Sequence, residues 1–205
     1  MQIFLETERL ILRRFTAEDA DNLFDLDSDP EVMRFLTGGI STPRELIQNH
    51  ILPEFLLSYE QFPGFGVWAA IGKSSEEFLG WFGFRPKGAD HPNDIVLGYR
   101  LCRTVWGQGY ATEGACALIR KGFTELGVQR VFATTYQDNL ASRRVMEKAG
   151  LRLARTFRIT LEDLQATGTF QVASENLWDG DDVEYELLKS DWEQQEAART
   201  EKGAR

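Results

Sequence analysis

Leu10 and Leu12 fall on one face of the run Arg9 to Phe15 and Ile11 on the other, a period of two that predicts a first strand. Thr16-Ala17-Glu18-Asp19 approximates a capping box, and Ala20, Leu23, Phe24 and Asp27 follow at helical spacing. Thr42-Pro43-Arg44-Glu45 predicts a second helix start, with Thr as N-cap, Pro at the first position and Glu at the third. Leu46, Ile47 and Ile51 continue its apolar face until Pro53, which should kink or end it. Phe65 to Ile71 and Phe78 to Phe84 are aromatic and β-branched runs joined by a turn at Gly72 to Glu77, a hairpin pattern.

After a polar loop at Pro86 to Asn93, Asp94 to Cys102 reads as a strand. A helix from Ala111 to Leu126 shows Ala115, Leu118, Ile119, Gly122 and Phe123 on one face and stops at Gly127. Val128 to Tyr136 is a strand. Asp138 or Asn139 then caps a short helix ending at Gly150, whose apolar follower is Leu151. Leu151 to Thr160 and Val183 to Leu188 supply closing strands, Leu161 to Asp182 is less legible, and Ser190 onward reads as a charged, fraying tail. No internal repeat is visible. The order gives an α+β fold, a mostly antiparallel sheet with helices packed on it. It is one domain over residues 1–192, followed by a tail at 193–205.

Composition narrows the function. With 205 residues, 42% hydrophobic and 27% charged, the chain reads as a soluble globular protein with room for a sizeable core. A net charge of −9 argues against a nucleic-acid partner and mildly favours a cationic substrate. A local basic patch at Arg143, Arg144 and Lys148 stays open. Cys102 and Cys116 have neither disulfide nor zinc spacing, and His50 and His91 stand apart, so no metal site is expected. The first residues do not form a signal peptide, and no apolar run reaches the roughly 20 residues that span a bilayer. A cytoplasmic protein without a membrane partner is the expectation.

The chemistry is concentrated in Trp106-Gly107-Gln108-Gly109-Tyr110-Ala111-Thr112-Glu113, between a strand and a helix. Two glycines there bare backbone N–H groups at a helix N-terminus, where unpaired donors and the positive dipole end favour a phosphate. The lysine of a P-loop is missing. A dinucleotide loop fits poorly, because Thr112 fills the third small position and Val131 sits near where an acid belongs. Coenzyme A is the third candidate.

Together with Gly98-Tyr99-Arg100-Leu101, the glycine stretch resembles the signature of the GNAT-superfamily N-acetyltransferases. Asn139-Leu140-Ala141-Ser142-Arg143-Arg144-Val145-Met146-Glu147-Lys148-Ala149-Gly150-Leu151 resembles the family's second signature, in the same order and separation. Glu6 to Arg13 and Asp29-Pro30-Glu31-Val32-Met33 look like the RimJ/RimL branch, which acetylates amino groups including protein N-termini. The resemblance runs from about Thr7 to Trp192. It implies a GNAT-like sheet whose splayed parallel strands hold coenzyme A, acetyl-CoA as co-substrate, a primary amine as acceptor, and a homodimer as the usual assembly.

It also implies roles. Pantetheine would bond the backbone edge at Leu101, Cys102 and Arg103, and the pyrophosphate would sit on the amides of Gly107, Gln108, Gly109, Tyr110, Ala111 and Thr112. Asn139 and Ser142 would border the thiol end, with Arg143 or Lys148 as an extra phosphate contact. An N–H near Leu101 would meet the oxyanion. Many relatives carry a Glu where Val96 stands and a thiolate acid where Met146 stands. That leaves Asp94 as a weak candidate base and Ser142 as the hydrogen-bond donor to the thiolate, with water-mediated deprotonation an alternative. Phe35, Trp81 and Phe84 are candidate acceptor-pocket residues that would serve equally as core. Two rival readings remain: a CoA-binding sensor without turnover, and a transferase of another acyl group such as succinyl.

Overall fold

The computed structural model describes residues 2–88, 91–158 and 180–203. Among these residues, eight strands form one sheet in the order β1-β2-β3-β4-β5-β6-β8-β7: β1 Ile3–Glu6, β2 Leu10–Arg14, β3 Gly66–Gly72, β4 Phe78–Pro86, β5 Asp94–Leu101, β6 Arg130–Tyr136, β7 Arg152–Phe157 and β8 Asp182–Leu188. Every neighbouring pair is antiparallel except β5 with β6. That parallel pair is joined by α5, Tyr110–Glu125, as a same-direction connection requires a crossover. The expected architecture is thus the observed one.

β3 is buried along nearly its whole length because both faces are covered. Trp68 and Ala70 join a large core with Leu118, Ile119 and Phe123 of α5, whereas Val67 and Ala69 join a second core with Leu23, Ile47, Leu52 and Phe55. This second face is roofed by α1 (Ala20–Ser28), α2 (Pro30–Thr37), α3 (Arg44–Leu46) and α4 (Leu52–Gln61). α5 lies close on β4 because Gly114 and Gly122 leave room for Phe82 and Phe84. A Cβ at either glycine would meet those rings at 2.3 and 2.6 Å.

Several expectations need correction. Thr42 is not the N-cap of the second helical stretch; Pro43 takes that position, and the Thr42 hydroxyl donates to Asp27 at 2.9 Å. Of the two outcomes expected at Pro53, a kink or an end, the end does not occur: the helical path continues from α3 through a π-helical segment, Ile47–Ile51, into α4. The wider turn just before the proline accommodates its missing N–H and its ring. The charged stretch after Ser190 is no fraying tail: Lys189–Gly203 is a helix, α7. It is tied down by Trp192 against Phe123 (ring centroids 5.4 Å), Gln195 to the Gly150 carbonyl (3.1 Å) and Glu196 to Arg120 (2.9 Å). β1, not foreseen as a strand, is fixed by Phe4 stacked on Trp68 at 3.8 Å. Most of the poorly legible segment Leu161 to Asp182 lies outside the described residues.

Candidate active site

The site begins where the β5–β6 ladder stops. These strands pair only at Asp94–Arg130, Ile95–Val131 and Val96–Phe132. Beyond Val96, β5 keeps β4 as a neighbour up to Leu101. Two hydrogen bonds set the orientation of its backbone: Lys87 N–H to the Asp94 carbonyl (2.8 Å) and Cys102 N–H to the Leu79 carbonyl (2.9 Å). In an antiparallel pair the bonded positions alternate, so Asp94, Val96, Gly98, Arg100 and Cys102 all turn their backbone groups to β4. Tyr99 and Leu101 turn theirs the other way, into the gap that β6 has left.

This alternation corrects the expected pantetheine edge. Cys102 N–H is committed to β4, and its carbonyl accepts from Val105 at 3.1 Å. The Arg103 carbonyl accepts from Trp106 N–H, and its side chain pairs with Asp29 at 3.0 Å. The Leu101 carbonyl already accepts from the Trp106 indole at 2.8 Å. Alternation turns the Tyr99 backbone and the Leu101 N–H toward the opening and takes Cys102 out of that edge. The Cys102 thiol lies toward the Phe78 carbonyl (3.8 Å), and burial, with Asp25 and Asp29 adding to it, pushes its pKa up. A protonated, strand-packed thiol is no nucleophile.

At the end of β5 the chain turns through Gly107 (φ 73°) and Gly109 (φ 86°) into α5. L-residues avoid this left-handed region, which explains both glycines. Nothing lies within 4 Å of a Cβ at Gly107, and at Gly109 only the Arg9 guanidinium does, at 3.4 Å. No side chain of the described residues therefore crowds the loop at Gly107, and the amides at the start of α5 suit phosphate oxygens. The loop is not without a cation, however. Arg9 donates to the Gln108 carbonyl (2.9 Å) and lies 4.3 Å over the Tyr110 ring. Glu113 holds it in place, accepting from the Thr7 hydroxyl (2.6 Å), Arg9 N–H (2.9 Å) and Arg9 Nε (2.6 Å). Burial alone would raise the Glu113 pKa; these bonds outweigh it and hold it below the ordinary value. The roles of Thr7 and Arg9 went unread because their partner is about a hundred residues away. Their one signal was the branch-like run Glu6 to Arg13.

On the β6 side, α6 (Leu140–Lys148) follows the strand. Asn139 caps it, its side chain accepting from Ser142 N–H at 3.2 Å. Ser142 faces Tyr99: the tyrosine hydroxyl is 3.0 Å from both the Ser142 carbonyl and the Ser142 Oγ. Burial pushes the Tyr99 phenol up to about 12, so it is protonated near neutrality. In the sequence Tyr99 stands out only as part of the Gly98-Tyr99-Arg100-Leu101 motif. Arg143 donates to Tyr185 (3.1 Å) and to the Gln137 carbonyl (2.9 Å), Lys148 is exposed in the last turn of α6, and Met146 is core.

Asp94 sits at the paired end of the wedge, 3.6 Å from Arg130, which also binds Glu184 (2.8 Å) and Glu186 (2.7 Å). Five strand residues, about 16 Å, separate it from Tyr99. Asp94 is thus engaged with Arg130 at the paired end of the wedge, not beside the Tyr99–Ser142 contact. The proposed aromatic pocket also divides. Trp81 and Phe84, an odd number apart on β4, point to opposite faces. Phe84 is fully buried under α5, while Trp81 lies on the α1–α4 face against Phe55 (6.1 Å). Its ring spans Gly83 and Gly98, where added Cβ atoms would meet it at 3.6 and 3.7 Å. Phe35 is half-buried, with Arg34 over its ring at 5.2 Å. Beside Trp81, Arg100 pairs with buried Asp27 at 2.5 Å, tying β5 to α1. Among the described residues, no cluster of His, Cys, Asp or Glu could hold a metal, and no helix is long and apolar enough to cross a membrane.

Known proteins share this arrangement. Residues 9–152 match the family model described as acetyltransferase (GNAT) domain. FsC-acetyl coenzyme A-N(2)-transacetylase of Aspergillus fumigatus is 37% identical over 160 residues, covering 75% of this chain and 66% of that protein. The N-acetyltransferase YoaA of Bacillus subtilis, itself uncharacterized, is 31% identical over 149 residues, 72% of this chain and 82% of that protein. Among solved structures, a GNAT-family acetyltransferase from Bacillus anthracis superposes with a TM-score of 0.72 at 24% identity, over 93% of this chain and 99% of that one. RimL, a ribosomal L7/L12 alpha-N-protein acetyltransferase in complex with coenzyme A, gives 0.71 at 17% identity, over 91% and 98%. The chain belongs to the GNAT acetyltransferase family, whose members use acetyl-CoA as co-substrate and act on amine acceptors.

Proposed function

We propose that this chain transfers the acetyl group of acetyl-CoA to the primary amine of a small cationic molecule by direct attack on the thioester. The observation that carries the reading is the wedge itself: β5 loses its parallel partner after Val96, with the glycine loop at one end and Ser142 across from Tyr99. The amides of Gly107 to Thr112, helped by Arg9, hold the pyrophosphate. The Tyr99 backbone and the Leu101 N–H bond the pantetheine, and the Leu101 N–H also faces the carbonyl oxygen as it gains charge. Ser142 donates a hydrogen bond to the departing sulfur. No carboxylate of β5 reaches the opening, so a neutral amine attacks and loses its proton to water.

The acceptor enters on the α1–α4 face, beside Trp81, Asp29 and Arg103. A small cationic amine is favoured by the negative charge of Asp25 near Cys102 and by the half-buried ring of Trp81. The Aspergillus relative is named an acetyl coenzyme A-N(2)-transacetylase, which supports a nitrogen acceptor. A protein N-terminus, the acceptor of RimL, is the reading this would displace.

Calorimetry with acetyl-CoA tests the donor site. Gly109→Trp should weaken binding by at least about 100-fold, ~2.7 kcal/mol, with the circular dichroism spectrum retained. Unchanged affinity would remove the phosphate-loop assignment. An acceptor screen scored by product mass separates the amine classes, and acetylation of peptide N-termini alone would reverse the small-molecule reading.

A further inference from the structure

The Tyr99–Ser142 contact has more hydrogen-bonding capacity than a strut needs. Tyr99 comes from the strand that leaves the ladder, and Ser142 from the helix following the strand it leaves. The hydroxyl contact is therefore a cross-link over the gap, between the two diverging halves. Tyr99 carries one proton and stands 3.0 Å from two oxygens of Ser142, the carbonyl and the Oγ. Two arrangements are possible. In the first, Tyr99 donates to the carbonyl and the Ser142 hydroxyl donates to Tyr99, so the only proton of the serine is spent inside the pair. In the second, Tyr99 donates to the Ser142 Oγ, and the serine proton is free to point out of the pair.

Only the second arrangement lets Ser142 donate to anything else. Asn139 already accepts the Ser142 N–H, so the hydroxyl is the one donor this residue has left. Tyr99 is half-buried, and desolvation pushes its phenol up to about 12, so the donor keeps its proton at neutral pH. A chain of two hydroxyls in which each donates to the next polarises the outer one. A serine without such a partner is a weak donor to a thiolate.

We infer that Tyr99 is a positioning residue for thiol departure: its hydroxyl proton swings from the Ser142 carbonyl to the Ser142 Oγ, and the freed serine proton turns to the coenzyme A sulfur as negative charge develops there. This rests on the reading that Ser142 faces that sulfur. Both protons stay on their own oxygens. The carbon–sulfur bond breaks with its electron pair leaving on sulfur, the amine nitrogen forms the new bond to the acetyl carbon, and the proton lost by the amine goes to water.

Free coenzyme A, the released product, is the probe, so no acceptor is needed. Each protein with bound coenzyme A is titrated with base, and the thiolate is followed by its ultraviolet absorbance after subtraction of the ligand-free protein. In the unsubstituted protein the bound thiol should be more acidic than free coenzyme A. Tyr99→Phe keeps the ring against Phe82 and removes only the hydroxyl. It should lower the acid dissociation constant of the bound thiol by about tenfold, ~1.4 kcal/mol, with affinity at neutral pH changed by less than about twofold. Ser142→Ala should do at least as much, and Tyr99→Phe should add nothing in the Ser142→Ala background. A shift from Ser142→Ala without one from Tyr99→Phe overturns the tyrosine's role and leaves the serine reading standing. Additive shifts overturn the relay. No shift from either variant, or no coenzyme A binding, overturns both together.

Discussion

The two ends of β5 are built from the same kind of strand and do opposite work. From Asp94 to Val96 the strand lies between β4 and β6, and Arg130 gathers Asp94, Glu184 and Glu186 around the end of the ladder. From Tyr99 to Leu101 it has, among the described residues, only β4 beside it, and the backbone groups on the other side face an opening flanked by a glycine loop and a helix cap. The first end closes the sheet; the second keeps it open. The difference teaches that this site is made by stopping a hydrogen-bond ladder as much as by adding side chains.

The largest expected effect at the closed end is on stability. Arg130→Met would leave buried Glu184 with Arg155 as its ion-pair partner among the described residues. Removing one member of such a group costs several kcal/mol when fully buried and less when part-exposed, so about 2 kcal/mol is expected here. Urea denaturation should register that loss while calorimetry finds acetyl-CoA affinity within about twofold. A large loss of affinity with little loss of stability would erase the distinction between the two ends.

The open end should answer in the other sense, with a smaller effect. Arg9→Ala is expected to weaken acetyl-CoA binding about tenfold, ~1.4 kcal/mol, by removing a charge and loosening the loop. Acid probes the same clamp from its partner. The Glu113 pKa is depressed below 4.5, so its stabilisation is fully present above that value and is lost as the pH falls through the folded value. The stability difference between the parent protein and Arg9→Ala should therefore be constant above about pH 4.5 and narrow below it. A gap that widens in acid would contradict the sign.

The donor half was the more legible in sequence, and the reason is locality. The glycine loop, the start of α5 and the Asn139 cap are each set by residues within a few positions, and α5 was read to within one residue at each end. The Arg9–Glu113 clamp was not legible because it joins segments 104 residues apart. α7 resembles a charged tail in sequence because its ties to the fold, through Trp192, Gln195 and Glu196, reach partners at Phe123, Gly150 and Arg120, far away in the chain. The opposition of Trp81 and Phe84, by contrast, was readable in principle, since residues an odd number apart on a strand face opposite ways. Likewise, the exclusion of Cys102 from the open edge follows from alternation once a single β4–β5 bond is known.

That alternation gives the most direct test of the central claim. Backbone amide hydrogen exchange, resolved by residue, can be measured without ligand and with saturating coenzyme A. Tyr99 and Leu101 should exchange fast without ligand and gain protection when coenzyme A binds. Gly98, Arg100 and Cys102, bonded to β4, should be protected already and change little. Equal protection of odd and even positions, or none at Tyr99 and Leu101, would mean that the open edge of β5 is not where coenzyme A lies.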